Sequence, residues 1–239
     1  AADLLGFQNS IGGTFEIFIQ LGAILAVVAY YARDLIAQAR SLPTSAATRR
    51  FWIAVGVAFL PAAAAGLALH SWIKQVLFES PLVIAWALIV GGLVLIAVER
   101  LPQRATTTHD LQQVSLLQAL GIGVAQVLAL VPGVSRSGSS IVGGLLGGLD
   151  RRTATAFSFY LAIPTLGAAT LADLAGSASQ ITASDAGRLL LGTIVAMVVA
   201  WISIGWLLRY VAGHSFVIFG IYRIVAGALI LALVAIGHL

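Results

Sequence analysis

Seven apolar runs of helical length, at 13–32, 50–70, 81–98, 113–130, 154–175, 186–209 and 216–237, leave few folds open to this chain. Each holds about the ~20 residues that a helix needs to cross the hydrocarbon core of a bilayer. None alternates in the way barrel strands do, and backbone in lipid must satisfy its own N–H and C=O groups. The expected class is therefore all-α, a polytopic membrane protein in a single integral membrane domain, 1–239. Composition agrees: 60 % hydrophobic residues, 9 % charged residues and a mean hydropathy of +1.02 do not describe a soluble domain. With no cysteine in the sequence, thiolate chemistry and disulfides are excluded. A net charge of +4 would suggest nucleic acid in a soluble chain. Here the arginines mark cytoplasmic loops, and no nucleic-acid partner is expected.

One run is broken. Gln113 to Val131 and Ile141 to Leu149 are almost wholly apolar, and between them stands Pro132-Gly133-Val134-Ser135-Arg136-Ser137-Gly138-Ser139-Ser140. An arginine at membrane depth is unfavourable by several kcal/mol unless it is paired or lines a wet cavity, so Arg136 marks a functional site by default. Two glycines, a proline and four hydroxyls make a tight turn rich in donors. Such a turn points N–H groups at an anion, and a helix starting near Ser139 would add its positive end. The sequence thus predicts a phosphate or pyrophosphate cradle inside the membrane, with Gly133 and Gly138 at positive φ and Ser139 and Ser140 capping the returning helix.

Charge placement gives topology. If the Arg33–Arg50 loop is cytoplasmic, nine Lys or Arg residues fall inside (Arg33, Arg40, Arg49, Arg50, Arg100, Arg104, Arg151, Arg152, Arg209) and two outside, Lys74 and Arg188. Arg136 and Arg223 stay within the membrane. The parity closes only if about 113–149 is a re-entrant helical hairpin that enters and leaves on one side. Asn9 to Gly13 reads as a polar turn, 33–50 as a loop, and Trp72 with Phe78 as interface anchors of a short second loop. Arg100 to Gln112 reads as a flexible connection. Leu145-Leu146-Gly147 followed by Phe157-Ser158-Phe159-Tyr160-Leu161 echoes Leu4-Leu5-Gly6 followed by Phe15-Glu16-Ile17-Phe18-Ile19, in opposite directions across the membrane. That predicts inverted repeats: 113–239 as the second, and 1–100 as the remainder of the first, whose hairpin would precede Ala1. The chain opens on what reads as the middle of a segment, and an N-terminal truncation is expected.

The run Gln126-Val127-Leu128-Ala129-Leu130-Val131-Pro132-Gly133-Val134-Ser135-Arg136-Ser137-Gly138 resembles the signature of the undecaprenyl-pyrophosphate phosphatases, the bacitracin-resistance family. The resemblance extends through Phe157–Pro164, Phe15–Gly22, Gly91-Gly92-Leu93 and Ile221-Tyr222-Arg223, nearly the whole chain. It implies two inverted repeats, each with a re-entrant hairpin, around a pocket open to the periplasm in a bacterial inner membrane. The implied reaction is hydrolysis of undecaprenyl pyrophosphate to the monophosphate, which recycles the lipid carrier of cell-wall synthesis and confers bacitracin resistance. A divalent cation, Mg or Ca, a polyprenyl diphosphate substrate and the bilayer are the implied cofactor and partners, with a homodimer compatible with them. The family's other signature, a glutamate-rich segment followed by Ser-Ser and a histidine, is not in this sequence. Its metal ligands and its histidine therefore have no counterpart here, and none of His70, His109, His214 or His238 has that context. A chain lacking the segment is expected to be inactive or nearly so.

Phosphoanhydride hydrolysis needs neutralised phosphoryl charge and a positioned nucleophile. Arg136 can fork two N–H groups onto phosphate oxygens, or else cap carbonyls inside the hairpin. Ser135 and Ser137 can donate to the diphosphate, or bond their own turn. Ser135 as a covalent nucleophile lacks an activating base nearby. Gln126, about two helical turns before the turn, faces the pocket or bonds a neighbouring helix. Glu16 and Gln20, four apart on one helical face, favour a pocket-lining or structural role over metal binding. Arg223 either snorkels to the cytoplasmic face or makes an internal ion pair. Pro61 and Pro164 read as kinks, and Trp201 and Trp206 as lipid-facing or packing residues. The rival function is a flippase or transporter of polyprenyl phosphate, because broken helices and a midplane anion site serve transport too. An anion channel is weaker, since one arginine makes no charged ring.

Overall fold

A computed structural model describes residues 14–72, 80–100, 106–177 and 186–237. Among them the chain forms nine α-helices: α1 (Thr14–Tyr30), α2 (Ala32–Ser41), α3 (Ala46–Trp72), α4 (Pro81–Arg100), α5 (Leu116–Val127), α6 (Arg136–Leu146), α7 (Arg151–Ser177), α8 (Ala186–Val211) and α9 (Val217–Ala235). No strand occurs among the described residues, only an isolated bridge between Thr108 and Leu149. Five helices, α3, α4, α7, α8 and α9, are long and apolar enough to cross a membrane, and α1 with α2 forms a further pair bent by 64°. Large apolar side chains such as Leu67, Leu191, Val198, Ile202 and Val225 lie exposed on these helices. A soluble protein does not carry such a surface, and lipid solvates it. The chain is an all-α, multi-pass membrane protein.

The helices fall into two compact units: Ala1–Pro43 with Ala162–Arg209, and Thr44–Leu161 with Tyr210–Leu239. In the first, α1 lies on α8 where small residues let the backbones approach. Gly22 meets the Thr193 carbonyl, Gly192 meets the Phe15 ring, and Thr193 Oγ1 donates to Phe18 O at 3.2 Å. Tyr30 contacts Trp201 edge-on, centroids 6.2 Å apart, so Trp201 packs while half of it stays exposed.

The second unit carries the hairpin. Its α4 and α9 pair closely because glycines leave room: a Cβ on Gly92 would sit 2.5 Å from Gly220 O, and one on Gly227 2.6 Å from Ala85 O. On α5 the buried residues are Ala119, Ile122, Gly123 and Gln126, one face of a 3.6-residue period. That face packs on α3, Gly123 against Ala58 O, while Leu117, Leu120 and Val124 face outward. Phe51 stacks edge-on with Phe157 and Tyr160 and joins α3 to the start of α7.

A helical hairpin stands where one was expected, from Leu116 through α6. Its legs, Leu116–Leu130 (α5 and a 3-10 turn) and α6, are 15 and 11 residues. At ~1.5 Å per residue they reach about 20 Å, short of the ~30 Å hydrocarbon core. The two ends are tied together at one level. Ser115 and Gln118 make a capping box, and Gln118 Nε2 donates to Gly147 O at 2.8 Å and to Thr108 Oγ1 at 3.1 Å. Gly148, at φ +89, reverses the chain after α6, and Asp150 N donates to Thr108 O at 3.1 Å. Residues 106–115 are thus bound to the hairpin base, not the flexible connection the polar composition suggested. Their side chains and backbone find partners across Gly148–Asp150.

One further expectation changes. The Arg33–Arg50 loop contains α2, because Leu35, Ile36 and Gln38 continue a helical pattern past the bend at Tyr31. Pro61 and Pro164 lie inside helices that continue through them. The Asn9–Gly13 turn, the Leu4-Leu5-Gly6 element of the repeat, the Glu16, His70 and Trp72 side chains, Phe78 and His238 lie outside the described residues.

Candidate functional site

The break in the hairpin is built by three local rules. Val134 N donates to Val131 O at 3.0 Å, closing a four-residue turn with Pro132 and Gly133 at its centre. Gly133 has φ +90, so Pro-Gly forms a type II turn. A side chain at Gly133 would also lie 2.6 Å from Ile84 O, so the turn rests directly on α4. Ser135 then caps α6, its Oγ accepting from Gly138 N at 3.1 Å and sharing a hydrogen bond with Ser137 Oγ at 3.2 Å.

α6 therefore begins at Arg136, three residues before the expected start near Ser139. The capping residue is Ser135, not Ser139 or Ser140, because its hydroxyl sits where the first-turn N–H groups converge. Gly138 is helical and not at positive φ, and its N–H is the one Ser135 caps. Ser140 is buried inside the helix, where its Oγ bonds back to Arg136 O (3.0 Å) and pairs with Ser158 Oγ on α7 (2.7 Å). Helix geometry leaves the Arg136 and Ser137 N–H groups at the positive end without an intrahelical acceptor.

Arg136 is partly buried on the α7 side, Nη1 donating to Ser158 O at 3.3 Å. A second arginine lies on the other side of the turn. Arg223 of α9, 9 % exposed, donates from Nη2 to Gly133 O at 2.8 Å and to Ala87 O at 3.3 Å. It neither snorkels nor makes an ion pair among the described residues, whose ion pairs are His109–Asp150 and Arg151–Glu99. Gly91 makes this possible, since a Cβ there would run into the guanidinium. Periodicity alone gave no sign of this contact; the signal was an arginine seven residues into an apolar helix, with a paired glycine on another.

Between α4, the hairpin and α9 lies a cavity of about 240 Å³. Arg223, Ser135 and Ser139 are among its lining residues, and its walls, Val94, Leu128 and Val142 among them, are mostly apolar. Gln126 is 1 % exposed within the hairpin and is not on that wall. Gln20 is partly buried on α1. No group of three His, Cys, Asp or Glu residues comes together among the described residues. The described residues around the turn thus offer no carboxylate set that fits the implied Mg or Ca ion.

At the base of the hairpin Arg151 grips Glu99 with two nitrogens at 2.6–3.2 Å, and Glu99 Oε1 accepts from Phe216 N at 3.0 Å. This joins the ends of α4, α7 and α9 below the turn. Asp150 Oδ1 accepts from Thr153 N at 2.6 Å, and Oδ2 lies 2.9 Å from His109 Nδ1. Burial raises the Asp150 carboxyl, but the Thr153 N–H and His109 outweigh it and hold its pKa below the usual carboxylate value.

Residues 1–229 match the family model described as bacitracin resistance protein BacA. A Deinococcus radiodurans protein named undecaprenyl-diphosphatase is 47 % identical over 235 residues, covering 98 % of this chain and 84 % of its own. A Cereibacter sphaeroides protein of the same name is 44 % identical over 238 residues, 100 % of this chain and 88 % of its own. One from Albidiferax ferrireducens, again so named, is 43 % identical over 235 residues, 97 % and 84 %.

Proposed function

We propose that the chain, which belongs to the bacitracin resistance protein BacA family, works in the hydrolysis of undecaprenyl diphosphate by holding that diphosphate on the Pro132–Ser140 turn. Water adds across the phosphoanhydride: the bridging P–O bond breaks, inorganic phosphate leaves and undecaprenyl phosphate remains. The chemistry demands donors and positive charge around the phosphoryl oxygens, where charge concentrates in the transition state. The observation that carries the reading is Arg136 at the first position of a capped helix, with no acidic partner among the described residues.

Arg136 supplies a planar fork to two phosphoryl oxygens, and the Arg136 and Ser137 N–H groups add the helix end. Ser137 Oγ turns from Ser135 to the substrate, while Ser135 keeps the cap. Ser135 is a binding and turn-holding residue in this account; its described partners are Gly138 N and Ser137 Oγ, neither of them a base. Gly133 lets the turn lie against α4. Gln126 holds the buried face of α5 behind the turn.

The nine-to-two distribution of basic residues supports a cytoplasmic hairpin base and a turn that opens toward the periplasm of the inner membrane. Phosphate release from undecaprenyl diphosphate tests the site. Arg136→Ala is expected to lower kcat/KM by about 100-fold or more. Arg136→Lys recovers only part, because an ammonium cannot fork. Undiminished release by Arg136→Ala removes the turn from the mechanism.

A further inference from the structure

Arg223 is a buried charge that phosphate binding by Arg136 does not explain. It has no acidic partner among the described residues, and its Nε has no acceptor. Filling the space between α4 and the hairpin needs no charge, and a cation at membrane depth is retained where it does something. We propose that Arg223 is the positioning residue of the phosphate-binding turn, locking the Gly133–Val134 peptide from its carbonyl edge. This rests on the reading that the turn holds the diphosphate.

The peptide in question is held at both ends. Its N–H, on Val134, donates to Val131 O at 3.0 Å and closes the turn. Its C=O, on Gly133, accepts from Arg223 Nη2 at 2.8 Å. A charged donor on the carbonyl polarises the amide and strengthens the hydrogen bond on the other edge. Nη2 also reaches Ala87 O at 3.3 Å, so the same nitrogen ties the turn to α4. The next residues along the chain are Ser135 and Arg136. Any rotation of the Gly133–Val134 peptide therefore swings the cap and the two free N–H groups of α6.

The surroundings are arranged for this reach. Gly92 and Gly220 bring α4 and α9 together, and Gly91 leaves the volume the guanidinium occupies. Arg223 acts through Gly133 and need not touch the substrate. Its removal should disturb alignment more than affinity, and a misplacement near 1 Å lowers a rate by about 100-fold.

The test compares Arg223→Met, Arg223→Lys, Gly91→Ala and Arg136→Ala, reading kcat, KM and thermal unfolding for each. Arg223→Met is expected to lower kcat about 100-fold, with KM within about threefold of the parent. Arg223→Lys should recover about tenfold of that loss, since one ammonium donor can still meet the Gly133 carbonyl. Gly91→Ala should lower kcat although Arg223 is intact, because the new methyl displaces the guanidinium. If Arg223→Met does not fold, Gly91→Ala decides: a kcat loss in a folded protein supports the lock, and an unchanged kcat overturns it. A rise in KM with kcat unchanged also overturns it, by making Arg223 a substrate contact. An active Arg136→Ala defeats the turn as the diphosphate site; an inactive Arg136→Ala beside an active Arg223→Met defeats only the lock.

Discussion

Gly133 carries two constraints that its neighbours do not share. Its φ of +90 suits glycine, and a Cβ would press on Ile84 O. Gly133→Ala is therefore expected to destabilise the protein by about 1–3 kcal/mol, read as a lower unfolding temperature in detergent, and to lower activity with it. Ser135→Ala removes a cap worth about 1 kcal/mol and gives the milder defect in the same measurement. At this scale Arg136 was legible, because a cation inside an apolar run is rare enough to be read directly. Pro132-Gly133 was legible for a similar reason, each residue restricting φ in a known way. The α6 start was misplaced by three residues, since a run of four serines offers several caps and only the fold chooses among them. The role of Arg223 was out of reach: its partners are carbonyls of residues 90 and 136 positions away, and carbonyls have no sequence signature.

At the scale of elements, the hairpin followed from charge parity, because six spans and the arginine count could not be reconciled otherwise. Its base did not. A polar stretch such as 106–115 reads the same whether solvated or hydrogen-bonded to another loop, and here Thr107, Thr108 and Gln118 all bond residues 147–150. Asp150 is the titratable member of this base. Its folded pKa lies below the unfolded one, so its contribution is complete above the unfolded value and fades as pH falls through the folded value. Asp150→Asn should therefore unfold at lower temperature than the parent near neutral pH, with the gap closing in acid. A gap that persists or widens in acid would assign the stabilisation to packing and not to the carboxylate. α2 escaped detection because ten residues with charges at both ends resemble a cytoplasmic loop until the helix is seen.

For the whole molecule, lipid is the solvent that the exposed leucines and valines require, and orientation is the property that composition implies most directly. These 239 residues contain no cysteine, so a single cysteine introduced among them is the only thiol they carry. In intact cells, Ser139→Cys beside the turn is expected to react with a membrane-impermeant thiol reagent from outside. Thr107→Cys at the hairpin base should react only after the membrane is opened. The reverse pattern would invert the topology and place the diphosphate site toward the cytoplasm.

Binding without turnover shows whether the diphosphate sits on the capped start of α6. The measurement is the affinity of a methylene-bridged undecaprenyl diphosphate analogue for the parent, Arg136→Ala and Arg152→Ala, the last being exposed on α7. Loss of a charge-assisted pair predicts at least about tenfold weaker binding for Arg136→Ala, with Arg152→Ala matching the parent. Equal affinity in all three would place the diphosphate elsewhere in the protein.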